Sequence, residues 1–189
     1  MAIYLSCADT AKLVRAALKE AFPGFKFSVR SKVYSGGASI TVEYFDGPLS
    51  SDVQSIVRRF EGAYFDGMTD YKGIKYNAID GKEVSFGANF IFVRRNLSAE
   101  FLAEVAAGVV KYYQFEVDYE IVPSIYGAWI KIDSNKNYQK RADCNFTDLV
   151  MRAASEKSLL APQVSKVANS VQSLGDDGYG YGSVGRMAA

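Results

Sequence analysis

The segment Phe25–Tyr44, FKFSVRSKVYSGGASITVEY, constrains the fold most, because it carries the clearest strand pattern in the chain. Its residues alternate with the period of two that a half-buried strand shows. One side holds Phe25, Phe27, Val29, Ser31 and Val33, and the other holds Lys26, Ser28, Arg30, Lys32 and Tyr34. Ser35, Gly36 and Gly37 supply a turn, and Ile40, Val42 and Tyr44 resume the apolar alternation. The segment therefore predicts a β-hairpin with one buried face and one basic face.

The composition is that of a globular protein, with 49% hydrophobic and 23% charged residues. The 22 Lys and Arg residues are balanced by 21 Asp and Glu residues, so any electrostatic function must be local. We find no apolar stretch of about 18 residues and no signal-peptide pattern, so we expect no membrane association and a reducing cytoplasm. In that compartment Cys7 and Cys144 are interpreted as small buried groups rather than a disulfide.

The chain contains no histidine. This excludes Ser/His/Asp and Cys/His nucleophilic catalysis, histidine base chemistry and histidine-ligated zinc. An enzyme of this composition would depend on carboxylates, lysine, tyrosine or a metal held by oxygen. No phosphate-binding loop, dinucleotide-binding glycine pattern or nucleophile elbow is present either. We therefore expect a protein that is not an enzyme, with no catalytic residues and no cofactor.

Helices are predicted on both sides of the hairpin. Apolar residues recur at helical spacing between residues 13 and 22 and again between 53 and 60. The candidate caps are Asp9 or Thr10 for the first helix and Ser50 or Ser51 for the second. A second hairpin is predicted over 72–94, with its turn at Asp80 and Gly81 and with Phe86, Phe90 and Phe92 on the apolar face of its second strand.

The order of elements repeats. A helix capped by Ser98 is followed by two strand patterns and another helix, and offsets of roughly 88 to 93 residues align these four elements with the first four. We therefore predict an α+β fold with two pseudo-repeated αββα units, antiparallel sheets, a connecting β-hairpin and a flexible C-terminal tail. The predicted boundaries are 1–96 for an α+β domain that includes hairpin 72–94, 97–158 for a diverged second unit, and 159–189 for a weak helix over Pro162–Ser173 followed by a Gly/Tyr-rich tail.

The outward side chains of the first hairpin are candidates for a binding surface. Lys26, Arg30, Lys32 and Tyr34, with nearby Arg58 and Arg59, could contact phosphates or an acidic protein. The corresponding positions of the second unit are Glu116, Asp118 and Glu120. The alternatives are a solvated sheet face, or strands that pair these opposite charges within the molecule or across a homodimer.

Two further groups of residues are candidates for a site. Asp46, Asp66, Asp70 and Asp80 are a candidate metal site, but three of them precede glycine, which is typical of turns, so no metal site is predicted. Tyr119, Tyr126 and Trp129 could form an aromatic contact patch. The alternative is that a second layer of the fold covers them.

Residues from about 9 to 97 resemble the large polyvalent protein-associated domain family twenty-nine. The resemblance is carried by DTAKLVRAALKEAFPGFKFSVRSKVYSGGASITVEYFDGP from Asp9, IVRRFEGAYFDGMTDY from Ile56 and VSFGANFIFVRRNLS from Val84. The family is similar to domains in large proteins of bacteriophages and conjugative elements that act inside an invaded bacterium. It implies no catalytic residues.

The resemblance implies a mobile-element protein in the cytoplasm of a bacterial host. We expect it to bind and inhibit a host protein or defence complex as an anti-defence factor, such as an inhibitor of CRISPR or restriction. One alternative is a nucleic-acid-binding accessory protein that uses the basic face of the hairpin. A second alternative is a carboxylate-dependent nuclease or hydrolase, which a screen for activity with divalent metals would test.

Overall fold

The computed structural model describes residues 2–132, 143–181, 183 and 185. The α-helices are α1 (Cys7–Ala21), α2 (Ser50–Val57), α3 (Ala99–Tyr113), α4 (Asp143–Glu156) and α5 (Lys166–Asn169), and a 3₁₀ helix spans Arg58–Phe60. The strands are β1 (Ile3–Leu5), β2 (Ser28–Tyr34), β3 (Gly37–Phe45), β4 (Ala63–Asp66), β5 (Tyr71–Ile79), β6 (Lys82–Phe86), β7 (Phe90–Asn96), β8 (Tyr119–Val122), β9 (Trp129–Ile132) and β10 (Val171–Asp176). No helix among these residues is both long and apolar enough to cross a membrane.

The strands form three sheets. The largest has the order β1-β6-β5-β10, with β4 also paired to β5, and only β1 runs parallel to its neighbour. A three-stranded sheet has the order β2-β3-β7, and among the described strands β8 and β9 form a two-stranded sheet. The α+β prediction is confirmed. The helix-strand-strand-helix order occurs twice, as α1-β2-β3-α2 and α3-β8-β9-α4. That these two segments are a pseudo-repeat stays a prediction.

The described chain divides into two compact units. The first contains residues 1–43, 51–94 and 161–189, and the second contains 44–50 and 95–160. In the first unit, α1 buries the side that carries Val14, Ala17 and Leu18. Its N-cap is Ser6, whose hydroxyl accepts a hydrogen bond from the Asp9 backbone, so the predicted caps at Asp9 or Thr10 are one turn too late. Cys7 is a buried free thiol, and the side chain of Cys144 lies outside the described part of the chain.

The second unit has its own core, in which Leu102 of α3 and Phe146 and Val150 of α4 are fully buried. The prediction that Ser98 caps α3 is correct, because its hydroxyl accepts a hydrogen bond from the Phe101 backbone at 3.1 Å. The buried residues recur at the spacing of successive helical turns, so each of α3 and α4 contributes one apolar side to this core.

The predicted buried face of the first hairpin is only partly correct. Phe25 and Phe27 precede β2, and Val33 near its end is 76% exposed. Val29 is buried near the start of the strand, where Arg15 of α1 donates a hydrogen bond to its carbonyl oxygen at 2.7 Å. The helix packs against the start of this edge strand, and the end of the strand extends into solvent.

The second strand of the hairpin predicted over 72–94 is two separate strands in the structure. β6 ends at Phe86 in the large sheet, and β7 begins at Phe90 in the three-stranded sheet. Between them, the Gly87 backbone donates a hydrogen bond to the Leu5 carbonyl at 2.7 Å, and the Asn89 backbone donates to the Ala38 carbonyl at 2.8 Å. The chain therefore leaves one sheet and enters the other within three residues.

The helix predicted over Pro162–Ser173 is wrong for most of its length. Only Lys166–Asn169 is helical, and Val171–Asp176 is a strand that pairs antiparallel with β5. Asp177 continues this attachment, because its carboxylate accepts hydrogen bonds from the Tyr64 and Tyr71 hydroxyls at 2.8 and 3.0 Å. The expected flexible tail from Gly175 onward is thus a bound segment at least to Asp177, while residues 182, 184 and 186–189 lie outside the described part.

Candidate functional site

The outward side of the three-stranded sheet gathers most of the charged residues of the first hairpin. On β3 the side chains of Ala38, Ile40 and Val42 are buried, so the alternating residues point outward. Arg30 pairs with Thr41 and Lys32 with Ser39, which places both cations on that outward side. The side chain of Ile91 on β7 is buried. We call this surface the outer face; it comprises Arg30, Lys32, Tyr34, Ser39, Thr41, Glu43, Phe90, Phe92 and Arg94.

The charges of the outer face do not cancel. Glu43 lies between two guanidinium groups, with its oxygens 3.8 Å from Arg30 Nη1 and 3.4 Å from Arg94 Nη1. The Arg30 and Arg94 side chains are 77% and 67% exposed. Exposed ion pairs of this kind contribute about 0–1 kcal/mol, so an incoming anion can replace them at little cost. With Lys32 included, three cations face one carboxylate, a net charge of +2.

Aromatic side chains lie among these cations. Phe92 is 52% exposed and Tyr34 is 44% exposed, whereas aromatic rings are usually buried for the most part. The Phe90 and Phe92 ring centroids are 6.5 Å apart. Exposed aromatics and arginines together are the residue types enriched at the centres of protein interfaces, and aromatic rings on open sheets also stack on nucleobases.

The outer face contains only part of the predicted set. Arg30, Lys32 and Tyr34 lie on it together, whereas Lys26 is exposed but precedes β2. Arg58 and Arg59 belong to the 3₁₀ helix and line a different surface, a cavity between that helix and β5 and β10.

The contribution of β7 was missed. Phe90 and Phe92 were predicted on the same apolar side as Phe86, but the change of sheet after Phe86 alters the phase. Ile91 is the inward residue instead, and Phe92 and Arg94 are turned outward. The signal available in the sequence was the alternation of Phe90, Phe92 and Arg94 with Ile91 and Val93, read as a strand in its own right.

The aromatic candidates of the second unit are divided. The Tyr119 ring packs against the core, with its centroid 5.0 Å from that of Phe146. Tyr126 and Trp129 are exposed. The core therefore covers the Tyr119 side chain, while Tyr126 and Trp129 remain on the surface.

Opposite charges pair within each hairpin. In the second unit, Glu120 lies 3.6 Å from Lys131 on the neighbouring strand of its own hairpin. In the first unit, Arg30 pairs with Glu43 on β3. In each hairpin, a charged residue of the first strand therefore pairs with an opposite charge on the second strand of the same hairpin.

Two of the candidate aspartates, Asp46 and Asp66, accept hydrogen bonds from backbone groups. Asp66 accepts hydrogen bonds from the Met68 backbone and the Thr69 hydroxyl, both at 2.9 Å, and these bonds to the carboxylate lower the pKa of Asp66. Asp46, Asp70 and Asp80 have positive φ angles, which aspartate tolerates in turns. Among the described residues, no group of three or more Cys, Asp or Glu side chains could hold a metal ion.

The outer face and its supporting strands define an α+β domain with an open, cationic and aromatic sheet surface. Residues 5–98 match the family model of large polyvalent protein associated domain 29, so this part of the chain belongs to that family. The predicted resemblance is confirmed, and the domain associates the protein with phages and other mobile elements. No curated protein and no solved structure gives a significant match to the chain.

Proposed function

We propose that the protein binds and inhibits a bacterial host protein as an anti-defence factor of a phage or mobile element, without catalysis of its own. It acts in the host cytoplasm, and its target belongs to a CRISPR or restriction complex. The family of residues 5–98 supports the association with mobile elements. The outer face supports the binding role.

The exposed combination of Arg30, Arg94 and Phe92 carries this proposal. Arginine and aromatic residues supply most of the binding energy where they meet a complementary partner surface. The net positive charge of the face matches an acidic surface and would also accelerate the encounter with it. Acidic protein surfaces, which normally receive a basic partner, are therefore the expected target sites.

The test compares two triple variants that change the net charge equally. In the face variant, Arg30, Lys32 and Arg94 are replaced by glutamine. In the control variant, the exposed Lys12, Lys19 and Lys82 of the same unit are replaced by glutamine. Wild type and control are expected to recover a defence component from host lysate and to restore phage plating on defended cells, while the face variant does neither. Recovery of no defence component by the wild type, with unchanged plating, would contradict the proposal.

Nucleic-acid binding is the second candidate, favoured by the position of Tyr34 and Phe92 among the three cations of the same open sheet. Aromatic rings stack on bases and nearby cations contact phosphates in single-strand binding surfaces. Three phosphate contacts predict a slope of about −2 in log affinity against log salt concentration. Binding to a single-stranded oligonucleotide that follows this slope and is lost in Tyr34→Ala/Phe92→Ala would favour this candidate over the first.

A further inference from the structure

A polar concavity lies in the first unit and is formed by elements other than the strands of the outer face. It has a volume of about 330 Å³. Its lining consists of Arg58, Arg59, Lys75, Asn77, Val171 and Ser173. We call it the basic cavity. Its volume is at the lower end of the range for small-molecule sites, about 300–1,000 Å³.

The floor of the basic cavity is built by two paired strands. Asn77 of β5 lies directly opposite Ser173 of β10. Lys75 precedes Asn77 by two residues, so it shares the same side of the strand. The 3₁₀ helix Arg58–Phe60 adds its two arginines beside this floor. The cationic, amide and hydroxyl groups of three separate elements therefore border one concave space.

Two of the cations are held in place. Arg59 Nη1 donates hydrogen bonds to the Ala168 carbonyl and to Asn169 Oδ1, both at 3.2 Å. A guanidinium group has five N–H donors, so this attachment leaves others for a ligand. Lys75 Nζ donates to Glu61 Oε2 at 2.9 Å, and an ammonium group has two more donors. Groups fixed before binding lose little conformational freedom when the ligand arrives.

The net charge of the basic cavity is +2. Arg58, Arg59 and Lys75 carry three positive charges, and Glu61, which pairs with Lys75, carries one negative charge. The second oxygen of Glu61 already accepts a hydrogen bond from the Ile91 backbone at 3.0 Å. A doubly negative oxyanion neutralises this site, and the forked donors of arginine match the geometry of phosphate oxygens.

We propose that the basic cavity binds the phosphate group of a small phosphomonoester. Arg58 and Arg59 contact the phosphate oxygens from one side and Lys75 from the other. The Ser173 hydroxyl and the Asn77 amide border the remaining part of the ligand. The basic cavity shares no lining residue with the outer face.

The probes are adenosine 5′-monophosphate and inorganic phosphate, with adenosine as the uncharged comparison, titrated into the full chain at constant ionic strength. Both phosphates are expected to bind, and adenosine is not. Arg58→Gln is expected to weaken the binding of both about tenfold or more, because a hydrogen bond to a charged group is lost. Lys19→Gln, which removes the same charge from an exposed position of α1 in the same unit, is expected to leave the affinity unchanged within about twofold.

A readout on the wild type keeps the test independent of folding in any variant. In amide NMR spectra, phosphate is expected to shift the signals of Asn77 and Ser173 and to leave those of Thr41 and Phe92 on the outer face in place. Equal binding by Arg58→Gln and wild type would overturn the proposal. So would shifts spread over exposed lysines throughout the chain, because those indicate nonspecific association.

Discussion

At the scale of single residues, Asp177 is the point at which the C-terminal segment is tied to the large sheet. Its carboxylate accepts hydrogen bonds from the Ile74 backbone, the Tyr64 hydroxyl and the Tyr71 hydroxyl. Burial acts to raise the pKa of Asp177, but these hydrogen bonds outweigh it and leave that pKa below its ordinary value. Burial and the bond to Asp177 raise the pKa of Tyr64 to about 12.

The sequence contained no indication of this contact. Tyr64 and Asp177 are 113 positions apart, and the Gly-rich stretch around Asp177 predicted a frayed end. A pattern in one segment cannot report a hydrogen bond whose partner lies in a distant segment. Local patterns did identify Ser98 as a helix cap, since a cap bonds only a few residues away.

The raised pKa of Tyr64 predicts a loss of stability in alkali. The neutral phenol, with a pKa of about 12 in the fold against 10.0 as its ordinary value, stabilises the fold fully below pH 10. That contribution declines as the pH rises from 10 through 12. Tyr64→Phe is therefore expected to lower the unfolding midpoint at pH 7–9, with a difference from wild type that shrinks above pH 10. Urea unfolding followed by circular dichroism at several pH values measures this difference.

The control for this measurement is Tyr181→Phe in the same unit, because the Tyr181 side chain is exposed. It is expected to unfold like the wild type at every pH. A difference between Tyr64→Phe and wild type that stays constant up to pH 12 would mean that Tyr64 has the same pKa in the folded and the unfolded chain. That result would contradict the raised pKa of Tyr64.

At the scale of elements, periodicity located helices α1 to α4 and both strands of the first hairpin, because those patterns follow from one-sided burial. It therefore found Arg30, Lys32 and Tyr34, the part of the outer face contributed by β2. Periodicity missed the part of the outer face contributed by β7. A change of sheet depends on which backbone groups of distant segments come within hydrogen-bond distance, as Gly87 does with Leu5 and Asn89 with Ala38. No repeating pattern of side chains marks that change.

Gly87 makes the change of sheet sterically feasible. A Cβ atom at this position would lie 2.7 Å from both the Cys7 nitrogen and the Leu5 oxygen. Both are backbone atoms, so relief requires β1 or the start of α1 to move. Gly62 is similarly restricted, with a Cβ position 2.2 Å from the Phe86 oxygen. The close approach of these segments therefore depends on glycine.

Gly87→Ala is expected to destabilise the first unit by about 1–3 kcal/mol, the usual cost of inserting a methyl group where there is no space for it. The displaced contact is the hydrogen bond from Gly87 to Leu5, so β1 is expected to loosen from β6. Chemical denaturation gives the free energy of unfolding, and hydrogen exchange of the Ser85 and Gly87 amides reports on β1 locally.

The matched control is Gly67→Ala in an exposed turn of the same unit, where an added Cβ meets nothing within 4 Å. Its free energy of unfolding is expected to stay within about 0.5 kcal/mol of the wild type, as for other surface substitutions. Equal effects of the two substitutions would show that the contact with β1 does not restrict Gly87.

At the scale of the whole molecule, the compact first unit does not end where the family match ends. The match covers residues 5–98, and the unit also contains 161–189. Glu20 of α1 accepts hydrogen bonds from the Ser165 hydroxyl at 2.9 Å and the Val167 backbone at 3.0 Å. β10 then completes the large sheet beside β5. The sequence-based boundary at residue 96 followed local patterns, which cannot reveal a segment that returns from the other end of the chain.

Removal of residues 161–189 is expected to destabilise the first unit strongly. The truncated chain exposes the edge of β5 and loses the buried Val171 side chain, which alone contributes about 1.5–3 kcal/mol. Typical domains have only about 5–15 kcal/mol of stability, so a large share is lost. A chain ending at Leu160 should therefore unfold at lower urea concentration than the full chain, and a synthetic peptide of residues 161–185 should restore the midpoint.

Two peptide variants separate specific pairing from general stabilisation. Val171→Asp puts a charge at a buried position of β10, and Gln172→Asp puts the same charge at an exposed position of the same strand. The Gln172→Asp peptide is expected to restore the midpoint, and the Val171→Asp peptide is not. Equal activity of the two peptides, or a truncated chain as stable as the full one, would contradict the placement of β10 in the large sheet. The returning segment also supplies Val171 and Ser173 to the basic cavity, so the truncated chain is expected to lose phosphate binding and the Gln172→Asp peptide to restore it.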